Sequence, residues 1–97
     1  MNVEYTPRAR ADLQEIADYS RKTFGRAVAA ALETYIRATV ARIAAMPESG
    51  EAVQDRQDVR VVPLIRYPFR IFYTAADETI TILHIRHTSR RPWQGGA

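Results

Sequence analysis

Apolar residues in the first half of the chain recur at steps of three and four, the spacing of one face of an α-helix. The first such stretch opens at Thr6, whose hydroxyl suits a helix cap, and Pro7, whose missing N–H costs nothing at the first helical position. It closes at Gly25, a residue that readily adopts the left-handed conformation of a helix stop. The positions that follow the helical spacing are Ala9, Leu13, Ile16, Ala17 and Ser20.

A second, longer helix is predicted over residues 26–46, and Pro47 and Gly50 end it. Because so short a turn joins the two helices, they must lie antiparallel as a helical hairpin. A polar loop is expected over residues 48–58. The residues expected on one face of the second helix are Val28, Leu32, Tyr35, Ile36, Thr39, Val40 and Ile43.

The second half is rich in β-branched and aromatic residues, which predicts strands at 59–64, 69–73 and 79–86. A polar hairpin loop is expected at 74–78, and residues 2–5 supply a further strand before the first helix. The expected fold is therefore α+β in the order β-α-α-β-β-β, a helical hairpin packed on a small, mostly antiparallel sheet. We expect a single domain, residues 1–97, with the hairpin at about 7–46, the sheet at about 59–87 and a short basic tail at 88–97.

The composition excludes several classes of protein. A hydrophobic share of 46% and a charged share of 26% are typical of a globular domain and not of a disordered chain. No apolar run approaches the roughly 18 residues of a membrane span, and the first residues do not begin a signal peptide, so we expect a cytoplasmic protein with no membrane contact. The absence of Cys excludes disulfides. Since His84 and His87 are predicted on opposite faces of one strand, no metal site and no cofactor is expected.

The positive charge is concentrated in the second half of the chain. Residues 1–55 hold seven Arg or Lys against eight Asp or Glu, whereas residues 56–97 hold seven Arg against three acids. The second half therefore favours an acidic partner. The densest cluster is IRHTSRRPW at residues 85–93, where contact with a target is favoured over catalysis. The candidate contacts for such a partner are Arg60, Arg66, Arg70, Arg86, His87, Arg90, Arg91 and Trp93.

Four segments together resemble the RelE/ParE superfamily of bacterial toxins: YTPRARADLQEIADYSRKTFG, the long second helix ending in IAAMPESG, YPFRIFY and ILHIRHTSRRPW. The resemblance runs from Val3 to Trp93, and the helical-hairpin opening is more similar to the ParE branch. It implies the fold derived above and a type II toxin that a co-encoded antitoxin binds and silences in a hetero-oligomer. ParE-like members poison DNA gyrase, whereas RelE-like members cut messenger RNA on the ribosome.

The resemblance also offers two residues for RNA cleavage. Arg70 matches the R-[LI]-x-Y segment of RelE-like enzymes in FRIFY, and His87 lies where some of these nucleases carry a proton-transfer residue. The alternatives are a solvated strand Arg and a surface His. The only Lys is Lys22, and no complete acid–base set can be assigned, which favours a binding toxin without chemistry of its own. A RelE-like ribosome-dependent endoribonuclease and a degenerate, non-toxic member remain alternatives.

The sequence leaves the role of three aromatic residues of the helices open. Tyr19, Phe24 and Tyr35 either pack beneath the hairpin or line an apolar groove in which an amphipathic segment of a partner docks.

Overall fold

The computed structural model describes residues 1–88, so Arg90, Arg91 and Trp93 lie outside the described residues. The α+β fold and its helical hairpin are confirmed, and one short strand, β2, is added within the predicted polar loop. The elements in chain order are β1 (Asn2–Tyr5), α1 (Pro7–Phe24), α2 (Arg26–Ala45), β2 (Glu51–Ala52), β3 (Arg60–Pro63), β4 (Phe69–Ala76) and β5 (Thr79–His87).

The five strands form one sheet in the order β1-β5-β4-β3-β2. β1 and β5 are parallel, because the chain crosses over through the helical hairpin and the rest of the sheet before β5 comes to lie beside β1. The other three pairs are antiparallel, which confirms the prediction of a mostly antiparallel sheet. Within residues 1–88, no helix is long and apolar enough to cross a membrane.

Both helices begin and end largely where their residues predict. The Thr6 hydroxyl accepts a hydrogen bond from the Ala9 N–H at 3.0 Å, and Pro7 occupies the first turn of α1. Gly25 stands between the helices with φ 95°, a backbone conformation that side-chain-bearing residues rarely adopt. Val28 lies four and eight residues before the buried Leu32 and Ile36, and thus on the predicted face of α2. Its side chain is nevertheless 40% exposed, since it stands in the first turn of the helix beside the hairpin turn.

The hairpin predicted between the last two strands is present, but the bounds predicted for its loop, 74–78, were wrong. β4 continues to Ala76, and only Asp77 and Glu78 form the turn, with φ values of 53° and 62°. Positive φ at both central residues is the signature of the tight hairpin turn whose twist matches its flanking strands. Asn and Gly are the usual residues in such a turn. The sequence Asp77-Glu78 therefore did not indicate it.

A register shift in β5 determines which residues reach the core. Phe72 pairs with His84 and Tyr73 with Ile82, so Leu83 is an extra residue, a β-bulge. Ile82 and Ile85 therefore point to the same face although they are three residues apart. This face, which we call the helix face, packs against α1 and α2. Its buried cluster comprises Ala9, Leu32, Ile36, Val40, Ile43, Val62, Leu64, Ile71, Tyr73, Ile80, Ile82 and Ile85.

The start of α1 completes the edge of β5 beyond the last residue of β1. The Thr6 hydroxyl donates to the Leu83 carbonyl at 2.7 Å, and the Ile85 N–H donates to an Asp12 carboxylate oxygen at 2.9 Å. Beyond β1, these two side chains thus take the place of a neighbouring strand and satisfy two backbone polar groups of β5.

Candidate functional site

Two arginines face each other on the side of the sheet opposite to the helix face, which we call the outer face. Arg70 of β4 pairs with Arg86 of β5, and both point away from the core residues Ile71 and Ile85. Like charges directly across two strands destabilise a sheet. The segments 59–76 and 79–88 contain no Asp or Glu, and the two facing guanidiniums place two positive charges on this part of the outer face. This arrangement suits an anionic group supplied by a partner.

Arg60 and Arg66 do not join this pair. Arg60 lies on the helix face near the start of β3, and its guanidinium donates to the carbonyls of Gly50, at 2.7 Å, and Glu48, at 3.4 Å. It therefore holds the turn that follows α2. Arg66 is exposed in the loop between β3 and β4.

The two residues proposed for RNA cleavage point to opposite faces. His87 pairs with Phe69, and their rings meet edge to face at 5.1 Å, where Phe69 packs against the core cluster. Arg70 lies on the outer face, one position along β4 from Phe69. One phosphate on either face would therefore not meet both side chains, which argues against a joint catalytic role.

His84 shares the outer face with the arginine pair, and the sequence reasoning did not select it. Its ring stacks on Phe72 with a centroid distance of 4.5 Å and an interplanar angle of 3°, and both residues are buried. Phe72 lies two residues from Arg70, and His84 two residues from Arg86, so the two pairs are neighbours on the outer face of β4 and β5. The two-residue spacing within each strand was the sequence signal that these residues share a face. The pairing of His84 with Phe72 could not be predicted from the sequence, because it depends on the bulge at Leu83.

The environment of His84 disfavours its protonated form. Burial is the main cause that lowers the pKa of this imidazole, and the charges of Arg8, Arg86 and Arg56 lower it further. The carboxylate of Asp12 acts in the opposite direction. At neutral pH the outer face therefore carries a neutral ring beside its two arginines.

Acidification is expected to destabilise the fold through His84. Below the unfolded-chain pKa of about 6.5, the unfolded chain binds more protons than the folded one, so this contribution is present above that pH and lost as the pH falls toward the lowered pKa. His84→Phe should therefore reduce the slope of the unfolding free energy against pH between pH 7 and 5. The reduction should be up to about 1.4 kcal/mol per pH unit. Urea denaturation of both proteins across this range measures it, and parallel curves would contradict the assignment.

An apolar groove of about 770 Å³ runs between β1 and the two helices. Four of its apolar residues belong to the periphery of the core and are only partly buried: Val3, Tyr5, Leu13 and Ile16. Burial raises the pKa of the Tyr5 hydroxyl, and the charge of Arg37 partly opposes this. The polar side chains of the groove are mainly basic, with Arg21, Arg26 and Arg37 against Glu33. An amphipathic segment with apolar and acidic residues fits this lining.

The three aromatic residues left open by the sequence lie outside this groove. Tyr19 and Phe24 are 57% and 61% exposed at the hairpin turn, where their rings meet edge to face at 6.3 Å. Tyr35 is partly buried on another side of α2, and its ring contacts Tyr67 at 5.4 Å.

Comparison with known proteins identifies relatives over almost the whole chain. The family described as ParE toxin of type II toxin-antitoxin system, parDE, matches residues 3–92. A solved structure of the chromosomal ParDE TA system from P. aeruginosa is 26% identical, covers 92% of this chain and 97% of its own, and superposes with a TM-score of 0.80. No curated protein matches the sequence.

Two more distant structures share the fold. The intact E. coli RelBE toxin–antitoxin complex contains a chain that is 14% identical over 93% of this protein and 98% of its own length, with a TM-score of 0.61. The isolated E. coli RelE toxin is also 14% identical, over 93% and 86% of the two chains, with a TM-score of 0.61. The chain is thus more similar to the ParE structure than to either of these two.

Proposed function

Because the chain belongs to the ParE toxin family of type II toxin–antitoxin systems, we propose that it inhibits DNA gyrase and that a cognate antitoxin neutralises it. Gyrase inhibition is the activity implied by the ParE branch, and it would place the protein in the cytoplasm. The toxin acts by binding and performs no chemistry of its own. The observation that carries this choice over RNA cleavage is the position of Arg70 and His87 on opposite faces of the sheet.

The antitoxin occupies the apolar groove in this proposal. Four peripheral core residues remain partly exposed there, so an apolar face of a partner helix or strand would complete their burial. Carboxylates on the same segment would meet Arg21, Arg26 and Arg37 at the groove. The product is a toxin–antitoxin hetero-oligomer, as in the E. coli RelBE toxin–antitoxin complex.

The target contacts the outer face. Arg70 and Arg86 place two guanidiniums beside each other there, and a guanidinium pairs well with a carboxylate of a partner protein. Arg90, Arg91 and Trp93, which lie outside the described residues, extend this contact in our proposal. Arg and Trp are residue types that dominate the energetics of interfaces.

Ribosome-dependent cleavage of messenger RNA is the second candidate. The observation that favours it is the same arginine pair, since two guanidiniums on one face could also hold a phosphate. The fold shared with the isolated RelE toxin is compatible with this reading and does not select it.

Induced expression in bacteria, followed by assays on purified components, tests the proposal. We expect growth arrest with broken DNA, and inhibition of supercoiling by purified gyrase at equal protein concentrations. Translating ribosomes charged with messenger RNA serve as the parallel assay. Cleavage of that RNA without any effect on gyrase would overturn the proposal in favour of the second candidate. A folded protein that arrests no growth would indicate the degenerate, non-toxic member.

A further inference from the structure

The loop between β3 and β4, residues 64–68, presents the most exposed large hydrophobic side chain within residues 1–88. Ile65 is 84% exposed, compared with 61% for Phe24, the next in order. Arg66 follows it and is also exposed. Neither residue contributes to the core cluster, so the fold itself gives no reason for an apolar side chain at this position.

The backbone that carries Ile65 is held on both sides. Leu64 is buried, and its N–H donates to the Phe69 carbonyl at 2.9 Å. The Ile65 N–H donates to the Tyr35 hydroxyl of α2 at 3.2 Å. The ring of Tyr35 in turn contacts Tyr67 edge to face. An isolated exposed apolar residue is ordinary on a protein surface, but a side chain on an anchored loop binds with little further loss of backbone entropy.

The charge around the loop indicates the chemistry of its partner. Arg66 lies in the loop, Arg70 follows two residues beyond it, and residues 59–76 contain no acid, so an acidic surface is favoured. The loop is also separate from the groove. Glu33 and Arg37 line the groove from one side of α2, whereas Tyr35 holds the loop from another, and none of residues 64–68 lines the groove. A segment that fills the groove therefore does not account for the exposure of Ile65.

We infer that this loop anchors the toxin on its target protein: Ile65 enters an apolar pocket, and Arg66 pairs with a carboxylate at the rim of that pocket. The pocket excludes water around the isoleucine, and the charge pair orients the loop. The inference rests on the proposed function for the identity of the target, gyrase, and adds the residues that recognise it.

The test compares Ile65→Ser and Arg66→Ser with Phe24→Ser, which alters a similarly exposed apolar residue at the hairpin turn. All three variants should melt within a few degrees of the wild type, because none of these side chains is buried. We expect Ile65→Ser and Arg66→Ser each to weaken inhibition of purified gyrase at least tenfold, since truncating an interface anchor commonly has an effect of this size or more. Phe24→Ser should inhibit like the wild type.

Growth arrest on induction is measured beside the gyrase assay. The two measurements together distinguish a wrong role for the loop from a wrong target. Variants that melt normally and act like the wild type in both assays would overturn the inference. If the wild type arrests growth without affecting gyrase, the proposed target is wrong. A loss of growth arrest in Ile65→Ser would then still support the loop as the anchor, and an unchanged arrest would overturn it. A folded wild type that arrests no growth overturns both ideas.

Discussion

Replacement of Tyr73 by alanine is expected to lower the free energy of unfolding by about 4 kcal/mol or more. The side chain is fully buried in the core cluster. Its hydroxyl donates to the Pro47 carbonyl at 2.7 Å and accepts from the Gly50 N–H at 3.0 Å, so it ties the segment after α2 to the sheet. Truncation leaves a cavity and two backbone groups without their partner. Domains of this size are stable by only about 5–15 kcal/mol, so about a quarter or more of that stability would be lost.

Urea denaturation of three further variants separates the contributions of the Tyr73 ring and the Tyr73 hydroxyl to the free energy of unfolding. Tyr73→Phe keeps the ring and removes only the hydroxyl, which should cost about 1–3 kcal/mol. Gly50→Ala places a Cβ within 2.7 Å of the Tyr73 hydroxyl oxygen and should also destabilise, because the buried ring has little room to move. Tyr19→Ala is the matched control at an exposed tyrosine and should change stability by less than about 1 kcal/mol. Equal stability of Tyr73→Ala and Tyr19→Ala would contradict the role assigned to Tyr73.

Removal of both outer-face arginines is expected to weaken target binding on the order of a hundredfold in a protein that remains folded. Arg70→Ala combined with Arg86→Ala removes both guanidiniums from the β4–β5 pair and leaves the buried cluster of the helix face intact, so the protein should remain folded. Binding to immobilised gyrase and growth arrest measure the first effect, and urea denaturation the second.

A charge-matched control distinguishes a local contact from a change in net charge. Arg10→Ala combined with Arg42→Ala removes the same two positive charges from exposed positions of the two helices. It should retain near-wild-type target binding, apart from a modest reduction of the association rate. Equal losses in both double variants would show that only net charge matters. Loss of RNA cleavage in the outer-face variant, in a protein whose wild type cleaves RNA, would support the nuclease alternative.

Local patterns in the sequence determined the helical part of the fold. The capping Thr6, Pro7 at the helix start and Gly25 between the helices act within a few residues, so helix ends follow from short-range chemistry. Composition likewise located the positive charge in the second half of the chain. The combined resemblance of four segments indicated the toxin superfamily, which the family match over residues 3–92 confirms.

Only the tertiary structure decided how the strands present their side chains. The bulge at Leu83 sets the register of β5 against β4, and this register brings Arg86 opposite Arg70, stacks His84 on Phe72 and turns His87 to the helix face. A shift of one residue reverses the face of every following side chain, and no local pattern in β5 specifies the partner residue on β4. The hydrogen bond between Tyr35 and Ile65 joins residues thirty positions apart, and it likewise depends on long-range packing. Helical spacing is a property of neighbours in sequence, whereas a surface built from several strands exists only once long-range pairing has occurred.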